Sequence, residues 1–138
     1  AYEIRLSLVG SEMCIETEKK QHHWRAIAIN ACEQSGRHVP PEIVFFNNLQ
    51  SLLDAPYRRE NKFLLDFQGS RLVTLLKTQP KSPQISIMLG AEGGLSVTEI
   101  GLANAAGFIS SQIGTRVLRT ETAAVTALGI AQSCWGDI

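Results

Sequence analysis

The sequence predicts an α/β fold in which a mostly parallel sheet is flanked by helices. Three observations carry that reading. Short apolar runs of strand character alternate with stretches of helical spacing. Two of the late runs deliver the chain into glycine-containing loops that each open a helix. A length of 138 residues at 44% hydrophobic content supplies one sizeable core and not two, so a single domain over 1–138 is expected.

Ile4, Leu6 and Leu8 alternate with Arg5 and Ser7, the period-two mark of a half-buried strand. From Glu18 to Ser35, Trp24, Ile27, Ala28 and Ala31 recur at helical spacing, and Gly36 stands where a left-handed cap stops the helix. Pro40 and Pro41 break the chain before the strand-like run Ile43–Phe46, after which Leu49–Leu53 makes a short helix. Phe63–Phe67 is the next strand, followed by Gln68, Gly69 and Ser70 and then by a helical stretch at Leu72–Leu76. Gln84–Leu89 is a further strand.

Ser96 with Glu99 three residues later forms a capping box for a helix from Val97 to Ala106 that Gly107 ends. Ile109–Ile113 is a brief strand. The last helix, Glu121–Cys134, carries Val125, Leu128 and Trp135 as its apolar stripe, with Ala124 and Ala131 beside it.

Thirteen basic and thirteen acidic residues cancel, so the basic footprint usual in nucleic-acid binders is missing. Cys14, Cys32 and Cys134 are odd in number and widely spaced, against both a disulfide framework and a zinc site, and fit a reducing cytoplasm. No run reaches the length of a membrane span, and the opening residues lack the features of a signal peptide. Ala1 is not a methionine, which fits a fragment. His22 and His23 point about 100° apart on a helix, which suits a solvated face rather than a metal. Trp24 and Trp135 read as core or interface anchors, and the cysteines as buried small residues.

The two loops, GAEGGLS from Gly90 to Ser96 and GTRVLRTET from Gly114 to Thr122, follow strand ends, where open α/β sheets bind ligands. The first lacks the Lys-Ser/Thr of a P-loop and the glycine spacing of a dinucleotide fold, which excludes both chemistries.

The succession IMLGAEGGLSVTEI (87–100), GFISSQIGTRVLRTETAAVTAL (107–128) and CWGDI (134–138), with WRAIA (24–28) and EQSGR (33–37) upstream, resembles the catalytic domain of the ribosomal RNA small-subunit methyltransferase E family. That family lies within the SPOUT class. The resemblance implies methylation of N3 of one uridine in 16S ribosomal RNA with S-adenosylmethionine as donor. It also implies a C-terminal trefoil knot, an exception to the rule against threaded chains, and a homodimer with active sites at the subunit interface. A small β-barrel RNA-binding domain and a first strand and helix would precede the segment matching Ala1, which would account for the missing basic charge.

Carried over onto this sequence, three loops hold the cofactor: one after Leu64, Leu65 and Asp66, one from Leu89 to Gly94, and one from Ile113 to Thr120. The residues so implied are Leu65, Leu89, Gly90, Glu92, Gly93, Gly94, Ile113, Gly114, Val117, Leu118 and Thr120. The glycines let the backbone approach the ligand closely. Uridine N3 carries a proton, so a base or anion-stabilising group is required. Arg119 suits stabilisation of that anion or a grip on phosphate, and Glu121 a base or an orienting group.

Other readings compete. Glu121 in a first helical turn is favoured by the macrodipole without catalytic duty. Glu92 reads first as holding its own loop. Arg116 is open to a surface or dimer ion pair or to an RNA contact. Gln34 and Arg37 end a helix, where Arg37 complements carbonyls; the resemblance makes both active-site candidates, with Arg37 as an RNA contact.

The sequence departs from the family pattern at Ala91, commonly proline, at Phe67-Gln68-Gly69, commonly a proline or polar turn, and near Ser11 and Glu12, where Met13 replaces a common arginine. Two alternatives remain: a SPOUT enzyme acting on another RNA, and a non-catalytic dimeric RNA-binding or assembly module.

Overall fold

The computed structural model describes residues 5–9, 14–56 and 61–138, with side chains described from Glu18 to Pro56 and from Asn61 onward. The chain divides into two compact units, Ala1–Pro56 and Tyr57–Ile138. Ile4, the segment Ser11–Met13 and the side chains of Leu6, Leu8 and Cys14 lie outside the described residues.

In the first unit, strand β1 (Arg5–Val9) pairs in parallel with β2 (Glu42–Phe46), from Arg5 opposite Glu42 to Val9 opposite Phe46. Between them runs helix α1 (Cys14–Ser35). It closes on Gly36 at φ 71°, with the Arg37 N–H bonded to the Cys32 carbonyl at 2.9 Å. That six-to-one bond satisfies a carbonyl the helix end leaves open. Trp24, expected as a core or interface anchor, is 42% exposed and is not among the buried residues of this unit whose side chains are described. The short helix α2 (Leu49–Asp54) starts on Asn48, whose side chain accepts from the Ser51 N–H at 2.8 Å.

The second unit holds a three-stranded parallel sheet with β3 (Asn61–Arg71) at its centre, β4 (Ile85–Met88) on one side and β5 (Ile109–Gln112) on the other. Helices α3 (Leu72–Thr78), α4 (Val97–Ala105) and α5 (Thr120–Trp135) follow the three strands in turn. Every described pairing is parallel, as the alternation of strands and helices predicts.

The core lies where α3 and α5 meet β3: Phe63, Leu72, Leu76, Ala127, Ala131 and Trp135 are all buried. Trp135 packs edge-on to Phe63 with centroids 6.4 Å apart, and its Nε1–H donates to the Leu76 carbonyl at 2.7 Å, so its one polar atom is satisfied inside the core. The inward face of α5 is therefore Ala127, Ala131 and Trp135, at helical spacing of four. Val125 and Leu128, expected in that stripe, are exposed instead. Alanines let α3 approach closely, so the small residues carry the packing that the larger pair was expected to carry.

The strand expected to end at Phe67 runs further. Strand β3 continues to Arg71, but Leu65 and Ser70 both stand opposite Ser111, so Asp66, Phe67, Gln68 and Gly69 are left outside the ladder as a bulge. Gly69 presses against the β5 backbone, where an added Cβ would collide with Ser110 and Ser111. The Gln112 Nε2 amide fixes the bulge by donating to the Gly69 carbonyl at 2.8 Å.

Candidate functional site

The carboxyl ends of three parallel strands leave a crevice, because each strand must hand the chain to a helix without filling the space above its neighbours. Here the three exits, after Leu65 on β3, after Met88 on β4 and after Gln112 on β5, enclose a cavity of about 430 Å³ within the second unit. That volume falls in the range of about 300–1,000 Å³ typical of small-molecule sites.

The β4 exit is a tight turn. Gly94 N–H bonds to the Ala91 carbonyl at 2.9 Å, with Gly93 and Gly94 at φ 94° and 78°. A Cβ on Gly90 would lie 2.6 Å from the Gly94 carbonyl carbon and 2.7 Å from the Leu95 nitrogen, so only glycine lets the loop fold back on itself there. At Gly114 an added Cβ would meet nothing within 4 Å, so that glycine leaves open space rather than permitting an internal contact.

The capping box is formed as expected. Ser96 Oγ accepts from the Glu99 N–H at 3.2 Å, and Glu99 Oε2 accepts from the Ser96 N–H at 2.7 Å. It anchors α4 where the β4 loop ends. Thr120 Oγ1 donates to the Gly90 carbonyl at 3.4 Å, tying the start of α5 to that loop.

The cavity has a graded wall. Ser111, fully buried, stands deepest, its hydroxyl donating to the Leu64 carbonyl at 3.1 Å. Half-buried Leu65, Leu89, Gly90, Ile113, Gly114, Leu118 and Thr120 come next. Exposed Phe67, Glu92, Gly93, Gly94, Arg116, Val117 and Arg119 form the rim.

All eleven residues assigned to the cofactor from sequence thus line one cavity, with Arg116 and Arg119 beside them. Arg119 is the N-cap residue of α5 and makes no side-chain capping bond, so the helix opens on the cavity with its first amides uncapped by that side chain. Such an end attracts negative charge.

Glu121 sits in the first turn of α5, exposed, and is not among the lining residues. Arg37 belongs to the first unit, where its Nε donates to the Val39 carbonyl at 3.0 Å. Asp66, Phe67, Ala91, Ser111, Gln112 and Ala123 complete the lining. Of these, Ser111 and Gln112 were findable from the rule that strand ends face the ligand. Among the described residues no group of three or more His, Cys, Asp or Glu side chains is placed to hold a metal. No helix among them is long and apolar enough to cross a membrane.

Residues 5–132 match the model of the RNA methyltransferase domain family. The chain belongs to that family. It is 35% identical over 120 residues to the ribosomal RNA small subunit methyltransferase E of Buchnera aphidicola subsp. Schizaphis graminum, covering 87% of this chain and 48% of that protein. The enzyme of the same name from Bacillus subtilis is 31% identical, with 82% of this chain and 46% of the relative covered. The chain therefore spans about half the length of these curated relatives.

Two solved structures share the fold. A putative methyltransferase from Legionella pneumophila in complex with S-adenosylmethionine superposes with a TM-score of 0.86 at 34% identity, covering 98% of this chain and 57% of that one. The ribosomal RNA small subunit methyltransferase E of Neisseria gonorrhoeae, also bound to S-adenosylmethionine, gives 0.79 at 32% identity, covering 96% and 55%. The resemblance read from the two loop motifs is borne out.

Proposed function

We propose that this chain is the catalytic domain of an S-adenosylmethionine-dependent enzyme that methylates N3 of a uridine in 16S ribosomal RNA. In this reading residues 1–138 form one SPOUT domain with a C-terminal trefoil knot, acting as a homodimer in the cytoplasm. The observation that carries it is the three-loop cavity. Its size, its apolar middle wall and its backbone-lined β4 turn suit a nucleoside-like donor, and two solved structures of the same fold hold S-adenosylmethionine. The family match running through both units supports treating them as one functional domain.

The residues present fit that donor. Leu65, Leu89, Ile113 and Leu118 offer apolar flanks, while the Leu89–Gly94 and Ile113–Thr120 backbones offer N–H and C=O groups at close approach. When bound, the sulfonium supplies an already activated methyl group, so alignment is the main demand on the protein. The acceptor sets the second demand, because uridine N3 must lose its proton. Arg119, at the rim and at the positive end of α5, stabilises the uracil anion, and Arg116 on the same rim contacts RNA phosphate. Glu121, one residue inside the helix from Thr120, orients the nucleotide or receives the proton. Arg37 supplies a further RNA contact from the first unit.

Calorimetric titration of the chain with S-adenosylmethionine tests the donor, with saturable one-site binding expected; a folded protein that takes up no donor overturns the enzyme reading. Mass spectrometry of ribosomal RNA from cells lacking the gene tests the acceptor. Loss of N3-methyluridine is expected, and its persistence refutes the assigned target.

A further inference from the structure

The bulge that interrupts β3 has no role in the sheet, yet it is held firmly. Gly69 is wedged against the β5 backbone, its carbonyl is capped by the Gln112 amide, and Asp66 Oδ1 accepts the Gln68 N–H at 3.3 Å. What these contacts hold out is Phe67, a large apolar side chain that is 60% exposed and lines the cavity rim. An aromatic ring fixed at that exposure invites a partner, since large aromatics gain most by burial. The same cavity is also lined by Val117, 80% exposed, and by the exposed cations Arg116 and Arg119. An apolar face with two guanidinium groups around one opening matches one class of ligand: a nucleotide, whose base stacks while its phosphate or ionised ring meets the cations.

Depth assigns which nucleotide. In the reading above, the half-buried wall around Leu89, Ile113 and Leu118 and the Leu89–Gly94 turn take the donor, which leaves the part of the rim that carries Phe67, Arg116 and Arg119 for the acceptor. We propose that Phe67 is a stacking platform for the RNA pyrimidine presented to this cavity, displayed by the β3 bulge on a rim that also carries Arg116 and Arg119. The proposal rests on the methyl-transfer reading above for the identity of the acceptor. The stacking itself is read without turnover.

The test compares wild type with Phe67→Ala and Phe67→Tyr in two measurements. These are calorimetric affinity for S-adenosylmethionine, and fluorescence anisotropy of a short labelled uridine-containing RNA added to the protein. Phe67→Ala should weaken RNA binding about tenfold or more, as loss of one base-stacking ring does, and leave donor affinity within about twofold. Phe67→Tyr, which keeps the ring, should stay close to wild type in both. RNA affinity unchanged in Phe67→Ala, or no RNA binding by the wild type, overturns the platform. An equal loss of donor affinity overturns it too and assigns Phe67 to the donor.

A third variant guards against misfolding of the alanine protein. Phe67→Trp should show fluorescence quenching by the same unlabelled RNA beyond that of wild type, whose own tryptophans are Trp24 and Trp135; no added quenching counts against the proposal. A wild type that binds RNA but no donor refutes the methyltransferase reading while leaving the platform standing.

Discussion

The two compact units use their apolar residues differently. In the second, even the largest aromatic is buried: Trp135 is 7% exposed, stacks edge-on with Phe63 and spends its indole N–H on Leu76. In the first, Trp24, Ile27 and Ile29 of α1 are 42%, 45% and 46% exposed, and the buried hydrophobics with described side chains are Cys32 and Ile43. The cavity belongs wholly to the unit with the packed core. Loops that must hold a ligand in one geometry need a rigid base, and a close-packed core supplies it.

The sharpest way to break this comparison is to truncate each tryptophan. Trp135→Ala removes a buried ring, its aromatic pair and a buried hydrogen bond, and should cost about 3–5 kcal/mol in urea denaturation. Trp24→Ala removes a ring that remains largely in water and should cost less than about 1 kcal/mol. Equal losses would mean that α1 is covered in solution, and denaturation at several protein concentrations would show whether a second subunit covers it.

Why one tryptophan is core and the other is not was illegible in the sequence. Helical periodicity reports that a face is apolar, and it does so for α1 and α5 alike, but it is silent on what covers the face. The inward side of α5 turned out to be alanine, with Val125 and Leu128 left outside, because the approach of α3 selects small residues. Signals written within a few residues were legible: the Ser96 and Glu99 capping box, the Gly36 cap, the glycines of the β4 loop. The β3 bulge was not. It depends on Gly69 meeting Ser110 and Gln112, more than forty residues away in sequence, so the strand read locally as ending at Phe67. The family resemblance put the segment after Asp66 on the pocket wall, but only the bulge shows how Phe67 comes to be exposed there.

Next in size is the arginine at the rim. Arg119→Ala should lower turnover on ribosomal RNA by about 100-fold, the typical cost of removing one group that stabilises a developing anion, with donor affinity kept. Arg37→Ala, in the first unit, should raise the KM for RNA with little effect on turnover. If the two variants proved alike in steady-state kinetics, the division between a catalytic and an RNA-contacting arginine would collapse.

Glycines within the second unit sharpen the distinction between what the fold needs and what the ligand needs. Gly90→Ala places a methyl group against the Gly94 and Leu95 backbone and should cost about 1–3 kcal/mol, seen as a lower denaturation midpoint and weaker donor binding together. Gly114→Ala places its methyl group in open space, so stability should hold while donor affinity falls. Calorimetry alongside thermal melting separates the two. A stable Gly114→Ala protein with unchanged donor affinity would remove Gly114 from the cofactor wall.

The smallest effect concerns the helix that fixes the end of the β4 loop. Ser96→Ala leaves the Glu99 amide without its acceptor and breaks the reciprocal bond pattern, at a cost of about 1 kcal/mol. Asn48→Ala removes a corresponding cap from α2 in the first unit, with the same local chemistry. Neither residue lines the cavity, but Ser96 anchors the helix at the end of the loop that does, so only Ser96→Ala should also weaken donor binding, by a few-fold at most, through a looser Gly90–Leu95 turn. Hydrogen exchange of the Gly93 and Gly94 amides reads that loosening directly. Faster exchange there in Ser96→Ala and not in Asn48→Ala is the expected result; equal exchange in both would show that the loop is held by Thr120 and Gly90 rather than by its helix.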